Sequence, residues 1–327
     1  MDRNNPVLYL VLPCYNESET IGHSAVKVKE KLIALKESGK ISPFSKALFV
    51  DDGSKDDTLA KLHALSSKDD LFAVVALASN RGHQNAIMAG MMVAREYADA
   101  VVTIDVDLQQ DIDALDEFIE KYKAGNDVVY GIRKDRKSDG FLKKITASGY
   151  YGFMHMLGAD IMTNHADYRL LSKRALDMLS EYDETNLFLR GLIPTMGFTS
   201  DVVYFDVRER EFGKSKYTAK KMVHLALDGI TSMSIRPLEI ISVIGFVIFL
   251  ISIAIGIFTL IEYFKGNNIP GYTTSIFVSL LMGGVTLVSL GVIGEYLGKI
   301  YMETKHRPRY MIDSVVIRET GKEEKEK

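Results

Sequence analysis

Apolar positions follow two different patterns along this chain. Up to about residue 235, short apolar runs alternate with longer stretches in which apolar residues recur every three or four positions. The runs 7–12, 47–50, 72–77, 100–104 and 127–131 read as strands. The stretches 17–36, 57–65, 84–97 and 113–123 carry a helical period. This alternation predicts βαβ units, and so an α/β fold with a mostly parallel sheet and helices on both faces. Such sheets bind ligands at the carboxyl ends of their strands, which directs attention to the residues just after each run.

Near residue 240 the pattern changes. Residues 240–261 are almost wholly apolar, enough to cross a hydrocarbon core of about 30 Å. A second run, 275–293, is broken only by small or hydroxyl side chains, and its Gly283, Gly284 and Gly291 suit close helix contact, within the chain or in a homo-oligomer. Two such runs with a short polar link predict a transmembrane hairpin with spans at about 240–261 and 275–297. Lys214, Lys216, Lys220, Lys221 and Arg236 precede the first span, and Lys299, Lys305, Arg307 and Arg309 follow the second. The link holds Lys265 against Glu262, so cation placement puts both ends of the hairpin on the cytoplasmic side of a cell membrane. The expected organisation is a cytoplasmic α/β domain over 1–217 and an interfacial amphipathic helix over 218–237. The hairpin then covers 238–297, and a cytoplasmic tail covers 298–327, its charged end 319–327 disordered.

Composition narrows the partners. At 327 residues the chain exceeds the usual size of one domain. Its net charge of −3 gives no general attraction to nucleic acid, so any anion site must be a local cluster of cations. Cys14 is the only cysteine, which forbids an intramolecular disulfide and fits a reducing compartment. The apolar run ending at Pro13 is too short for a secretion signal and no small-residue cleavage site follows it, so the α/β part is expected to stay where it is made.

Four successive strands end in polar clusters. Pro13-Cys14-Tyr15-Asn16-Glu17 follows the first, offering an aromatic face and a carboxylate. Asp51-Asp52-Gly53-Ser54 follows the second, where an acid can accept from a base N–H or a ribose hydroxyl, Gly53 permits a tight turn, and Ser54 or Asp56 can cap the next helix. Asn80-Arg81-Gly82-His83 follows the third, and Asp105-Val106-Asp107-Leu108-Gln109 the fourth. If the chain stays extended there, Asp105, Asp107 and Gln109 point to one side as hard oxygen ligands that suit Mg2+ or Mn2+. Phosphate-binding loops are absent: no G-x-G-x-x-G occurs, and Gly213-Lys214-Ser215 lacks the upstream glycine of a P-loop, that position being Arg208.

In this order the four clusters resemble the landmarks of inverting family-2 glycosyltransferases. More narrowly they are similar to the polyprenyl-phosphate branch, the dolichol-phosphate mannose synthases and bactoprenol-phosphate glucosyltransferases. Asp167-Tyr168-Arg169-Leu170-Leu171, Gly213-Lys214-Ser215-Lys216-Tyr217, Glu295-Tyr296-Leu297-Gly298 and Arg307-Pro308 extend the match over nearly the whole chain. The resemblance implies a GT-A-like nucleotide-sugar domain that moves a hexose from a nucleotide diphosphate to a lipid phosphate. UDP-glucose and undecaprenyl phosphate are the first choice, with UDP-N-acetylhexosamine and GDP-mannose as alternative donors. It places a Mg2+ or Mn2+ ion at Asp105, Asp107 and Gln109, with Asp107 also acting in catalysis. It sets Pro13, Tyr15, Glu17, Asp51, Asp52, Arg81 and Asp105 around the nucleotide, and makes Asp167 a candidate base or sugar-orienting acid. Arg133, Arg210, Ser215 and Lys216 are implied to hold phosphates. Gln110-Asp111 stands where the family often has proline after the metal-site glutamine. A processive polysaccharide synthase would carry Q-x-x-R-W, and this chain has no tryptophan. A non-catalytic, membrane-tethered nucleotide-sugar-binding subunit is the other alternative, against which the intact acids speak.

Overall fold

A computed structural model of the protein describes residues 3–134, 165–206, 231, 234–265 and 271–318. The chain divides into two compact units, one of Met1–Tyr151, Ile161–Thr218 and Arg307–Lys327, the other of Gly152–Asp160 and Ala219–His306.

The first unit is built on one sheet. Strands β1 (Leu8–Cys14), β2 (Lys46–Asp51), β3 (Phe72–Leu77), β4 (Ala100–Thr103), β5 (Val128–Arg133), β6 (His165–Ser172), β7 (Ser200–Phe205) and β8 (Ile312–Val316) lie in the order β7-β5-β6-β4-β1-β2-β3-β8. Neighbours are parallel except where β6 meets β4 and β5 and where β8 meets β3. Helices α1 (Ile21–Glu37), α2 (Thr58–Lys68) and α4 (Leu115–Lys123) cover one face. Helices α3 (His83–Ala94), α5 (Lys173–Ser180) and α6 (Leu189–Thr195) cover the other. Because both faces are covered, β1 to β4 are buried at every position, which is why they read as unbroken apolar runs. Leu8, Leu10 and Leu12 point into one core and Tyr9 and Val11 into the other. Helix α3 sits close on the sheet at Gly90, where a Cβ would lie 2.6 Å from methyl carbons of Val11 and Val50. That contact fixes the height of the helix whose first residue is His83.

Three strands lie outside the expected set. In β6 the charged Asp167 and Arg169 interrupt the apolar pattern, although Arg169 is 1% exposed. In β7 only Val203 and Phe205 are buried, as befits an edge strand. The third, β8, falls in the segment expected to be tail. There Ala78 N–H donates to the Met311 carbonyl at 2.9 Å, the Arg309 guanidinium donates to the Tyr182 carbonyl, and Ile312–Val316 pairs antiparallel with β3.

The second unit contains α7 (Arg236–Phe264) and α8 (Tyr272–Thr304), of 29 and 33 residues. At 1.5 Å per residue both exceed a hydrocarbon core of about 30 Å. The windows Arg236–Ile255 and Leu281–Thr304 have mean hydropathies of 2.7 and 1.4 and bury none of their length. Helices this long and apolar, with Phe246 and Leu287 among the exposed side chains, support association with a membrane. At one end of the pair the Tyr296 hydroxyl donates to the Ser234 carbonyl at 2.6 Å and the Lys299 ammonium to Thr231 Oγ1 at 2.5 Å. Of the expected interfacial helix, 218–237, residues 218–230 and 232–233 lie outside the described residues, and its last two positions open α7.

Candidate active site at the carboxyl ends of the strands

The loops after β1 and β2 are stitched together. Asn16 takes a left-handed φ of +51°; its N–H donates to Ser54 Oγ at 2.9 Å and its Oδ1 accepts from Lys55 N–H at 2.8 Å. Glu17 N–H donates to Thr58 Oγ1 at 2.9 Å, and Ser18 N–H to Asp56 Oδ2 at 3.3 Å. Of the two expected caps, Ser54 is engaged by the first loop, whereas Asp56 serves both sides: its Oδ2 accepts from Ser18 N–H and its Oδ1 accepts at 3.0 Å from the N–H of Thr58, the first residue of α2. The N-cap residue itself, Asp57, makes no side-chain capping bond. Pro13 is buried in β1, while Tyr15 and Glu17 are half-buried at the rim.

Asp52 joins the second loop to the third. Its Oδ1 accepts from Arg81 N–H at 2.7 Å and its Oδ2 from Gly82 N–H at 3.0 Å. Burial pushes the Asp52 carboxyl above the usual range, against the pull of those two N–H groups. Next to it Gly53 has φ +65°, and a Cβ there would lie 2.6 Å from Asn80 N and Ser79 C, so the turn and the close approach of the loops both require glycine. Asp51 Oδ2 accepts from Ser54 N–H at 3.0 Å, whereas its buried Oδ1 has no hydrogen-bond partner among the described residues. Arg81 itself projects outward, exposed.

After β4 the backbone does not stay extended. Leu108 N–H donates to the Asp105 carbonyl at 3.0 Å, and Leu108 takes φ +49°. Asp105, Asp107 and Gln109 are nevertheless half-buried while Val106, Leu108 and Gln110 are buried, so the turn reproduces the alternation expected of a strand. Gln109 N–H donates to Asp107 Oδ1 at 3.2 Å. The side chain that grips Asp105 is the next residue, Gln110. Its Oε1 accepts from Asp105 N–H at 3.0 Å and its Nε2 donates to Asp105 Oδ2.

The antiparallel strand β6 brings Asp167 to the same edge. Thr103, the last residue of β4, pairs with Arg169, and its hydroxyl donates to the Asp167 carbonyl, which sets Asp167 beside the start of the turn that carries Asp105. His83, opening α3, lies between them, with Nε2 3.4 Å from Asp105 Oδ1 and 3.7 Å from Asp167 Oδ2. Arg190 of α6 meets Asp167 with Nε 3.2 Å from Oδ1 and its NH2 nitrogen 2.8 Å from Oδ2, and the buried Arg169 guanidinium bonds Oδ1 from the other side. Burial alone would raise Asp167, but Arg190 and Arg169 hold its carboxyl far below the usual range. Asp105 is shifted upward, first by burial and then by Asp167 and Asp107, with His83 and Gln110 opposing.

Sequence reasoning singled out Asp105, Asp107, Gln109 and Asp167 but gave no role to His83, Arg190 or Gln110. A lone arginine in the apolar stretch Phe188-Leu189-Arg190-Gly191-Leu192 and the departure at Gln110 were the available signals. Arg133 ends β5 and is exposed. Arg210, Ser215 and Lys216 lie outside the described residues.

Sequence comparison settles what kind of protein presents these acids. The family model for glycosyl transferase family 2 matches residues 9–179, a span from β1 through most of α5. The chain belongs to glycosyltransferase family 2. It is 43% identical over 313 residues to the uncharacterized glycosyltransferase YkoT of Bacillus subtilis, covering 96% of this chain and 93% of that one. It is 38% identical over 308 residues to the bactoprenol glucosyl transferase of Shigella phage SfX, covering 93% of this chain and 98% of that protein. Among solved structures, a mannosyltransferase of Pyrobaculum calidifontis aligns over 91% of this chain and 85% of its own at 14% identity, with a TM-score of 0.40. As a family-2 glycosyltransferase the chain has the α/β architecture expected from its sequence, with a largely parallel sheet in a GT-A-like arrangement.

Proposed function

We propose that this enzyme transfers a hexose, with glucose the first choice, from a nucleoside diphosphate to a polyprenyl phosphate such as undecaprenyl phosphate, with inversion at the anomeric carbon. The observation that carries this reading is the pair Asp105 and Asp167 on either side of His83 at the strand ends, with Asp107 beside Asp105, in a chain 38% identical over 93% of its length to a bactoprenol glucosyl transferase. In the proposed step a lipid-phosphate oxygen attacks C1 of the sugar while the bond from C1 to the diphosphate oxygen breaks, and the nucleoside diphosphate leaves with that electron pair. A phosphate monoester is mostly dianionic at pH 7, so the nucleophile needs no general base. Asp167, locked as a carboxylate by Arg190 and Arg169, is a poor proton acceptor. Its assigned role is to orient the sugar and stabilise positive charge developing at the ring.

The donor set suits a divalent ion of the Mg2+ or Mn2+ kind. Among the described residues no three His, Cys, Asp or Glu side chains form a ready cage. Mg2+ usually takes one or two carboxylates and completes its shell with water and substrate phosphate. Asp105 and Asp107, mutually repelling and partly desolvated, match that requirement. Such an ion would neutralise the leaving diphosphate. Pro13, Tyr15, Glu17, Asp51, Asp52 and Arg81 are assigned to the nucleotide. Arg133, Arg210, Ser215 and Lys216 are assigned to phosphates, with α7 and α8 crossing the membrane as a hairpin and the first unit cytoplasmic. The test is to incubate the detergent-purified chain with UDP-glucose, undecaprenyl phosphate and Mg2+. A lipid one hexose heavier, β-linked by NMR, supports the reading, and release of free glucose with no lipid product contradicts it.

A further inference from the structure

We infer that Gln110 is a positioning residue for Asp105, and that it selects which carboxylate oxygen serves as the cation ligand. The inference rests on the functional reading above and adds to it a residue in the acid loop that comparison with family landmarks passes over. Gln110 is 2% exposed and spends both ends of its amide on one partner. Oε1 accepts from the Asp105 backbone N–H at 3.0 Å, and Nε2 donates to Asp105 Oδ2. These two bonds close the chain from 105 to 110 into a ring whose bend is the left-handed Leu108. A non-glycine residue at positive φ is held against a conformational penalty, and the two amide bonds supply what holds it there.

The consequence for Asp105 is directional. With Oδ2 engaged by Gln110, the carboxylate cannot rotate freely, and Oδ1 is the oxygen turned toward His83. A neutral amide achieves this without adding another acid beside Asp105, which Asp107 and Asp167 already repel. A glutamine bonding both the N–H and the carboxylate of the same aspartate also fixes the side chain relative to its own backbone. The cation ligand is thereby set before any substrate arrives.

The test compares the wild-type full chain in detergent with Gln110→Met, which keeps length but loses both hydrogen bonds. Uptake of Mn2+ is read by electron paramagnetic resonance of the free ion, melting temperature in parallel, and KM for undecaprenyl phosphate from turnover. Supporting-ligand losses of this kind typically cost about 10- to 100-fold in metal affinity, and that is the expected weakening of Mn2+ uptake, with KM for the lipid unchanged. Should Gln110→Met fail to fold, Gln110→Asn keeps the amide at shorter reach and carries the same test. Unchanged Mn2+ uptake by the folded variant would overturn the inference, whatever the melting temperature does. So would absence of Mn2+ uptake by the wild type. A wild-type chain that takes up Mn2+ but transfers no sugar fails the functional reading instead, and the Mn2+ titration still decides the role of Gln110.

Discussion

Arg190 holds Asp167 in a two-point grip, Nε to Oδ1 at 3.2 Å and NH2 to Oδ2 at 2.8 Å, reaching from α6 to a residue of β6 that lies 23 positions earlier in the chain. Arg190→Gln removes the cation while leaving room for one hydrogen bond. Misplacing Asp167 by even 1 Å is expected to lower kcat by about a hundredfold. Turnover of the variant at saturating donor and lipid checks this, and a rate within threefold of wild type would count against any role for Asp167 at the sugar.

The same pairing sets an acid-side stability limb. With its folded pKa depressed, Asp167 contributes stability that is complete above its unfolded value of about 3.9 and is lost as pH falls further toward the folded pKa. Asp167→Asn should therefore flatten the loss of melting temperature between pH 5 and pH 3. Removing the buried Arg169 guanidinium by Arg169→Met should cost about 3 kcal/mol at pH 7, read by denaturant titration.

Gly53 is predicted to be irreplaceable. Alanine there meets backbone atoms of Ser79 and Asn80 and must hold φ +65°, so Gly53→Ala should destabilise the fold by about 2 kcal/mol. It should also weaken donor binding, because the loops it joins carry Asp52 and Arg81. Melting curves with and without nucleotide separate the two effects.

Cys14 is 2% exposed and donates to the Leu12 carbonyl at 3.3 Å, and burial, with Asp51 and Glu17 nearby, pushes its thiol well above the ordinary value. Its reaction with a thiol reagent should be negligible in the native chain at pH 8 and complete in denaturant. Rapid native labelling would show that the first strand opens.

Deleting residues 309–327 removes β8 and leaves the outer edge of β3 unpaired. The truncated chain should lose several degrees of melting temperature and aggregate more readily in detergent, as size-exclusion profiles would show.

The sequence revealed most where burial is two-sided. Strands β1 to β4 betray themselves as apolar runs because nothing polar can be tolerated on either face, and the clusters that end them fall at the sheet edge by topology alone. Strand β6 was missed because it carries charge in its interior: the buried Arg169 guanidinium donates to Asp167 Oδ1, a pairing that no periodicity predicts. Edge strands β7 and β8 bury too little to leave a pattern, and β8 follows two long apolar helices in the chain, far from its partner β3 in sequence. In the site itself, Asp105 and Asp167 could be named from residue type and resemblance. That His83 stands between them depends on the register of β4 against β6 and the height of α3 set at Gly90, both tertiary facts. Gln110 lay hidden for a simpler reason, since the turn at Leu108 replaces the extended chain that the spacing of the acids suggests.

The most direct measurement is transfer of label from a panel of radiolabelled nucleotide sugars to undecaprenyl phosphate, by wild-type chain and by Asp105→Ala, with and without a chelator. Label from one donor should pass into the organic phase with the wild type, with UDP-glucose the first choice. It should fall by at least about a hundredfold with Asp105→Ala, and vanish on chelation. Organic-phase label that survives both the substitution and the chelator would contradict the metal-assisted mechanism. Absence of lipid-linked label from every donor would contradict the assigned reaction and favour a nucleotide-sugar-binding subunit.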